Sequence, residues 1–472
     1  MKHQKLILVL LVIGSIFLGA CSKQYLDLKP PSQIPNSEAI VDENSMQTAV
    51  NGMYSSLRQV DFFGRSIPID GDLLADNIYI DPAQNSNRYI QEFTYTMIAT
   101  NGDAQNTWAE IYSTILEANN VINANIVNSP VVSQLKGEAL TIRALCYLEL
   151  SKFFALPYTV DPTALGVPLV LTYAPFAKPA RNTVAEVYDQ MEADLTKATT
   201  LMTDESKNST YVTKSVADAL HARLYQFRGD WPNALSKALE VVNSGGYTLV
   251  DAANFNTYWS NPFPVSNRLE TIFEVEFDNI GNNGVDNLSN FYDQSGYGDA
   301  LATDDLFSQY SGSDIRSSLI VPGSRAGRPV LIVNKYSNTN NPNGKDNTKV
   351  IRYAEVLLIL AEAYNRTNDD ASARDVLNEL AQTRDPSFPG YASSGQALLD
   401  DIYSERRKEL AFEGHRYWDL VRLNRDVVRD NSTGNYASFV PLTLAASSTK
   451  RIWPIPQAEL NANKAVVQNP GY

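Results

Sequence analysis

Two segments of the chain follow the same helical plan. In residues 216–247, apolar side chains recur every three or four positions, a Gly229-Asp230 turn follows, and Pro232 suits the first position of a second helix. Residues 352–384 repeat this order, with a polar turn between two apolar stripes. An apolar stripe at helical spacing needs to be covered, so each segment predicts two helices packed against each other.

Helix pairs with small residues at their crossings are typical of tetratricopeptide repeats, although two unrelated helical hairpins would give the same pattern. Residues 44–59 and 107–127 are also helical in pattern, and Thr183 with Glu186 forms a capping box at another helix start. We therefore predict a mostly α-helical, tetratricopeptide-like fold. Its helical scaffold is expected to cover about residues 40–59, 105–247 and 350–425.

Two long stretches interrupt the helical pattern. Residues 60–104 and 248–349 are rich in polar turn-forming and aromatic residues, and only short strands are credible there, such as 271–277. Long irregular segments within a compact protein often carry function. We interpret both as large loop excursions from a single domain, residues 21–472, and not as separate domains.

The N-terminal residues have the order of a bacterial lipoprotein signal. A basic start precedes an apolar run over residues 6–18, which is too short to span a bilayer. Residues 18–21, LGAC, resemble a lipobox, in which cleavage before the cysteine leaves a thiol that receives lipid. We expect residues 1–20 to be a signal peptide and Cys21 to be the lipid anchor. The alternative is an ordinary signal peptide with an incidental cysteine.

The second cysteine, Cys146, lies on the apolar stripe of a helical segment, and we expect it to be part of the core. The chain has 39 basic and 53 acidic residues and a net charge of −14. Such a chain repels phosphate groups, so we expect no nucleic-acid partner.

The sequence lacks the usual motifs of enzyme chemistry. Only two histidines follow the signal segment, and no HExxH, CxxC, G-x-S-x-G or G-x-G-x-x-G motif occurs. Paired carboxylates can hydrolyse glycosidic bonds, and Asp72 with Asp76 or Asp304 with Asp305 are nominal pairs. Chance pairs are expected among so many acidic residues. We predict that the protein is not an enzyme and needs no cofactor or metal.

A charged segment near the C-terminus, residues 404–422, reads as one continuous helix. Three pairs of opposite charge occur in it at i, i+3 spacing: Arg406–Glu409, Glu413–Arg416 and Asp419–Arg422. We expect these charges to pair along the helix surface while an apolar stripe packs on the core.

Three stretches resemble the most recognisable motifs of the SusD/RagB family: IRYAEVLLILAEAYNR (351–366), ERRKELAFEGHRYWDLVR (405–422) and WPIPQAELNANKAVVQNPGY (453–472). Further matches are YLDLKPPSQ (25–33), GEALTIRALCYLELSKFFALPY (137–158) and DDLFSQYSGSDIR (304–316). The matches follow the family's order over nearly the whole chain after the signal segment. Each motif is weak alone, but the set is specific.

The resemblance implies a scaffold of four tetratricopeptide-like helix pairs in a surface-exposed outer-membrane lipoprotein of Bacteroidota. It also implies a partner, a SusC-like TonB-dependent transporter on which the protein sits as a lid. The lid captures an oligosaccharide or other nutrient and hands it to the channel. Members of the family are not enzymes.

Family binding residues lie in variable loops, so the resemblance assigns none of them to this chain. Sugar recognition pairs aromatic faces with polar groups that bond hydroxyls. On that ground we expect the ligand-binding residues to lie in the two excursions, and the candidates are Asp72, Asp76, Asn77, Tyr79, Arg88, Tyr258, Trp259, Tyr292 and Tyr297.

Trp259 is the leading candidate because it lies in a loop between Asn254 and Pro262, although it could instead cap the core. The other tryptophans lie in helical or motif contexts and are expected in the core: Trp108, Trp231, Trp418 and Trp453.

Three other functions fit the sequence less well. The cargo could be a peptide or glycopeptide, as in the RagB branch of the family. The protein could be a surface glycoside hydrolase, or a tetratricopeptide scaffold that binds only protein.

Overall fold

The structure is a computed structural model that describes residues 39–81, 84–203, 205–264, 269–338 and 345–472. The predicted signal peptide and the predicted lipidation site Cys21 lie outside these residues. Within the described part of the chain, no helix is long and apolar enough to cross a membrane.

The described helices lie in this order: α1 (Glu43–Ser56), α2 (Ser66–Leu73), α3 (Ile90–Phe93), α4 (Gly102–Ile122), α5 (Pro130–Phe154), α6 (Val184–Leu201), α7 (Lys214–Arg228), α8 (Trp231–Asn243), α9 (Phe255–Ser260), α10 (Leu288–Tyr292), α11 (Asp304–Phe307), α12 (Tyr353–Arg366), α13 (Asp370–Arg384), α14 (Gly395–Glu409), α15 (Arg416–Arg422) and α16 (Gln457–Ala462). The strands are β1 (Ile78–Ile80), β2 (Thr271–Val275), β3 (Ala300–Ala302), β4 (Ile320–Arg325), β5 (Arg328–Val333), β6 (Thr348–Arg352), β7 (Val427–Val428) and β8 (Thr443–Leu444).

The long helices form one continuous scaffold. Helices α4, α5, α6, α7 and α8 pack in sequence, each against the one before it. Helix α8 also packs on α12, α12 packs on α13, and α13 packs on α14. This arrangement confirms the predicted mostly helical, tetratricopeptide-like fold. The segments with helical pattern at 44–59 and 107–127 correspond to α1 and α4.

A local signal sets the start of α6 as predicted. Thr183 and Glu186 form the capping box at the start of α6. The central helix α5 begins with Ser129 as its N-cap and Pro130 in its first turn, and it is buried on most of its faces. Cys146, within α5, is fully buried in the main core, as predicted.

The charged segment 404–422 is not one helix. Helix α14 ends at Glu409 and α15 begins at Arg416, and the turn between them places Phe412 and Gly414 at positive φ. The backbone of Gly414 lies directly against Gly71 of α2. A Cβ atom added to Gly71 would be only 2.0 Å from the Gly414 carbonyl oxygen. This close approach between two backbones requires glycine and breaks the helix.

The predicted ion pairs within that segment are correspondingly wrong, except for Asp419–Arg422 at 2.9 Å. Arg406 bonds Asp419, and Glu409 and Glu413 both bind Arg352 from β6. These long-range pairs are buried, because the turn directs the charges towards other elements and not along one helix surface.

The two excursions are joined in one sheet and build cores of their own. Strand β1 from the first excursion pairs antiparallel with β3 from the second, and the sheet has the order β1-β3-β5-β4. Around it lies a second core that includes Tyr79, Tyr89, Phe291 and Tyr292. The excursions therefore contain more regular structure than their composition predicted, including the buried helix α2.

Candidate functional site

The two excursions meet at a pair of partly exposed side chains, Arg88 and Tyr297. Arg88 Nη2 donates a hydrogen bond to the Tyr297 hydroxyl at 2.8 Å, and the guanidinium lies 3.9 Å from the centre of the tyrosine ring. The Arg88 side chain is 35% exposed, and it lies 3.7 Å from the Asp286 carboxylate. We call these three residues the Arg88–Tyr297 platform.

Asp286 is held in place by a second, buried arginine, Arg65. Arg65 Nη1 lies 2.8 Å from the Asp286 carboxylate, and Arg65 Nε donates to the buried Tyr89 hydroxyl at 2.8 Å. One carboxylate thus bridges a buried guanidinium and an exposed one. The exposed Arg88 is positioned by this bridge while its outer surface stays open to solvent.

A buried arginine fixes the loop that carries Tyr297. Arg325, at the end of β4, donates to the Gln84 carbonyl at 2.7 and 2.9 Å and to the Tyr297 carbonyl at 2.9 Å. It reaches this position because β4 and β5 join in a tight turn whose two central residues, Ala326 and Gly327, both have positive φ. Arg325 therefore joins the Gln84 loop of the first excursion to the Tyr297 loop of the second.

The surroundings of the platform are polar and accessible. Arg328 follows the same turn, pairs with the buried Asp81, and keeps 45% of its side chain exposed. Asn85 and Asn87 lie on the neighbouring loop with partly or fully exposed side chains. A partly exposed ring beside guanidinium and amide groups can stack on a sugar and bond its hydroxyls.

Sequence reasoning named Arg88 and Tyr297 but missed Arg65, Asp286, Arg325 and Arg328. The only sequence signal for the two later arginines is the Ala-Gly turn between two short strands. Asp286 and Arg65 have no such signal, because they matter only through a contact across 221 residues of chain.

The predicted site residues of α2 and the loop after it are structural. Asn77 donates to Asp72 at 2.8 Å, and the Gly414 amide donates to the other Asp72 oxygen at 2.7 Å. Burial raises the pKa of Asp72 to about 6. Asp76 is bound by Arg416, and although burial raises its pKa, Arg416 and Arg407 lower it below the ordinary value. These buried groups have no surface for a ligand, which corrects the expectation for Asp72, Asp76 and Asn77.

Trp259 caps the core, as the alternative interpretation had it. Its ring is 3% exposed, and Lys335, Lys349 and Arg352 lie 4.2, 4.9 and 5.2 Å from its centre. Tyr258 is buried beside it, with its hydroxyl 2.6 Å from that of Thr271. Neither ring can stack on a ligand in solution, because both are covered by the buried charges of β2 and β6 and their neighbours.

Tyr79 and Tyr292 are also corrected from ligand-binding candidates to core residues. Tyr292 is fully buried and stacks on Tyr336 with ring centres 5.8 Å apart. Tyr79 is buried against Tyr436 at 6.2 Å. Aromatic residues were abundant in the excursions because the excursions build a second core from them. Of the other tryptophans, Trp108, Trp418 and Trp453 are buried as expected, whereas Trp231 is only half-buried.

Two grooves lie on another part of the scaffold. One, of about 580 Å³, is bounded by Trp108 and Tyr112 of α4, the loop over 168–179 and α16. The other, of about 450 Å³, is lined by Ile40, the C-terminal end of α4 and Tyr173. The 168–179 loop also carries Phe176, which is 93% exposed. No group of three or more metal-ligating side chains suited to an ion occurs among the described residues.

The architecture is that of a tetratricopeptide-like scaffold protein with loop excursions that carry the Arg88–Tyr297 platform. A family model described as starch-binding and associating with the outer membrane matches residues 24–226, and the SusD family model matches residues 327–472. The chain belongs to the SusD/RagB family.

Relatives match along the whole chain. A SusD-like protein of Formosa agariphila is 25% identical over 527 aligned residues that cover all of both chains. A SusD superfamily protein of Bacteroides vulgatus, 27% identical, superposes with a TM-score of 0.85 over 92% of this chain and 100% of its own. One of Bacteroides thetaiotaomicron, 25% identical, has a TM-score of 0.83 over 91% of this chain and 100% of its own.

Proposed function

We propose that this protein is a surface lipoprotein that captures oligosaccharides and delivers them to a SusC-like TonB-dependent transporter. The observation that carries the proposal is the Arg88–Tyr297 platform. There the first excursion presents a guanidinium group to solvent, and the second presents an aromatic ring beside it. The description of the matching family model, starch-binding and associating with the outer membrane, supports a carbohydrate ligand.

The platform offers hydrogen-bond donors beside an aromatic ring. Asp286 lies between Arg65 and Arg88, at 2.8 and 3.7 Å, and Asp81 pairs with Arg328. Guanidinium groups held in place by carboxylates can still donate to hydroxyl oxygens. Hydroxyl recognition beside an aromatic ring is the chemistry of carbohydrate binding.

The face that carries the two grooves suits the transporter. Ile40, which follows the proposed lipidation site Cys21 by 19 residues of chain, lines the smaller groove. The same face exposes Phe176 and Tyr173, and exposed clustered aromatic side chains mark interaction sites. We assign this face to the transporter. Changing Cys21 to Ala should move the protein from the membrane fraction to the soluble fraction.

Catalysis is not part of the proposal. Asp72 and Asp76 are buried and bonded to Asn77 and Arg416. Asp305 is paired with Arg407 at 2.7 Å, and Asp304 accepts from Asn435 at 2.9 Å. A glycosidase needs one carboxyl group to donate a proton and another to face the sugar ring. Each of these four carboxyl groups is instead bound by a neighbouring side chain.

Native affinity electrophoresis in gels containing soluble starch, levan, laminarin or arabinoxylan tests the proposal. We expect at least one polysaccharide to retard the wild-type protein, and Tyr297→Ala to reduce that retardation. Tyr173→Ala, which changes an exposed tyrosine outside the platform, is the matched control. Unretarded migration of the wild type in every gel, together with peptide retained by the purified transporter complex, would favour a peptide cargo instead.

A further inference from the structure

A second cleft lies between the scaffold and the second excursion. It has a volume of about 160 Å³ and is formed by the end of α1, the loop over 208–212 and strand β2. Arg58, Tyr211 and Glu276 contribute its functional groups, and we call it the Tyr211 cleft. Its volume is well below the roughly 300–1,000 Å³ of pockets for drug-sized ligands, so it has room for one small ring and not for a chain.

The aromatic wall of the cleft is rigid. The Tyr54 hydroxyl donates to Glu138 at 2.8 Å and accepts from the Val212 amide at 2.8 Å. Tyr211 packs edge-on against this fixed ring, with ring centres 5.6 Å apart. A ring held in this way offers a stacking surface without losing much side-chain freedom on binding.

Arg58 and Glu276 of the cleft do not pair with each other. Among the residues that the structure describes, Glu276 makes no hydrogen bond or ion pair, although Arg58 lines the same cleft. Arg58 Nη2 donates a hydrogen bond to the Ser55 hydroxyl at 3.0 Å. Because the two groups do not pair, the Glu276 carboxylate can accept hydrogen bonds from a ligand and the Arg58 guanidinium can donate to it. A sugar unit offers adjacent hydroxyls that can serve both.

The cleft lies close to the Arg88–Tyr297 platform along the chain. Asn283 donates to the Arg58 carbonyl at 2.7 Å, and three residues later Asp286 pairs with Arg65 and Arg88. Three residues span at most about 10 Å. One short segment therefore contacts the cleft at one end and the platform at the other.

We propose that the Tyr211 cleft is a second carbohydrate subsite, which holds one sugar unit of a chain whose other units contact the Arg88–Tyr297 platform. Tyr211 stacks on the ring, Glu276 accepts from its hydroxyl groups, and Arg58 donates to them. This inference rests on the proposed function and adds that long glycan chains are held at two points.

The test measures the Kd of the wild type and five variants in the starch, levan, laminarin and arabinoxylan gels, and one of the five is Tyr297→Ala. Tyr211→Ala and Glu276→Gln remove the stacking and the charged acceptor. Tyr173→Ala and Glu379→Gln are the matched controls, because both residues are exposed and lie outside the cleft. For the polysaccharide that retards the wild type, we expect Tyr211→Ala to weaken binding about tenfold and the controls to leave it unchanged.

The outcomes separate the two proposals. Wild-type Kd values for Tyr211→Ala and Glu276→Gln, with binding lost in Tyr297→Ala, would overturn the subsite and leave the proposed function intact. If no polysaccharide retards the wild type, the proposed function fails and the subsite fails with it. Glu276→Gln preserves the side-chain shape, so it still decides the question if Tyr211→Ala does not fold.

Discussion

Asp76 and Arg416 are joined by two hydrogen bonds, Nε to Oδ1 at 2.7 Å and Nη2 to Oδ2 at 2.8 Å. Asp76 follows α2 in the first excursion, whereas Arg416 starts α15 within a diagnostic motif of the family. The pair is mostly buried and fastens the excursion to the scaffold. A carboxylate that the sequence suggested for ligand binding thus serves the architecture.

Asp76→Ala should destabilise the protein strongly. The change leaves the Arg416 guanidinium largely buried without its partner, and breaking a buried ion pair costs about 3–5 kcal/mol. Urea unfolding at pH 7 measures the free energy of unfolding. Asp400→Ala is the control, because the Asp400–Arg425 pair is about half exposed and such pairs contribute at most about 1 kcal/mol. Equal losses in both variants would contradict the prediction.

Trp259→Ala should affect stability and not binding. The ring fills a small core with Phe255 and Tyr258 and lies against three cations. Removing a buried tryptophan side chain costs about 3–5 kcal/mol. Thermal unfolding should show a large fall in Tm, whereas affinity electrophoresis of the folded fraction should show wild-type retardation. A loss of retardation with an unchanged Tm would restore Trp259 as a ligand residue.

Glu92→Gln should stabilise the protein more at pH 8 than at pH 5. Burial, reinforced by the neighbouring Asp103, raises the pKa of Glu92 from 4.5 to about 7. A carboxyl group whose pKa is raised in the folded state supports folding when protonated, and this contribution is lost as pH rises through about 7. Gln can still accept the hydrogen bond from Asn101, which is 2.8 Å long in the wild type.

Urea unfolding of the wild type and Glu92→Gln at both pH values measures this difference. Glu379→Gln, on the exposed surface of α13, is the control. It should change the free energy of unfolding by the same small amount at pH 5 and at pH 8. The same gain for Glu92→Gln at pH 5 and pH 8 would show that burial does not keep this carboxyl group protonated.

Phe176→Glu should separate partner binding from ligand binding. Phe176 is 93% exposed on the loop that borders the larger groove, so the change should not alter Tm. A charge placed in an apolar contact should weaken co-purification with the SusC-like transporter at least about tenfold, because burying an unpaired carboxylate costs several kcal/mol. Retardation by polysaccharide should be unchanged. Phe263→Glu, at an exposed position of the second excursion, is the matched control.

Local features of the fold could be predicted because they depend on neighbouring residues. The capping box at Thr183 and the core position of Cys146 each depend on spacing within one helix. The candidate site was only partly predictable. Composition marked the excursions as aromatic and polar, but it did not show which aromatic side chains another segment would cover.

The sequence by itself determined the helical scaffold, because the apolar period and the caps act within a few residues. Only the tertiary structure decided the roles of the charged and aromatic residues. Glu413 lies three residues from Arg416, yet the turn at Gly414 sends Glu413 to Arg352 and Arg416 to Asp76. Arg88 and Tyr297 meet across 209 residues, because β1 and β3 pair in one sheet. The burial and the pairing of these side chains depend on contacts between distant segments. Those contacts form only when the excursions pack.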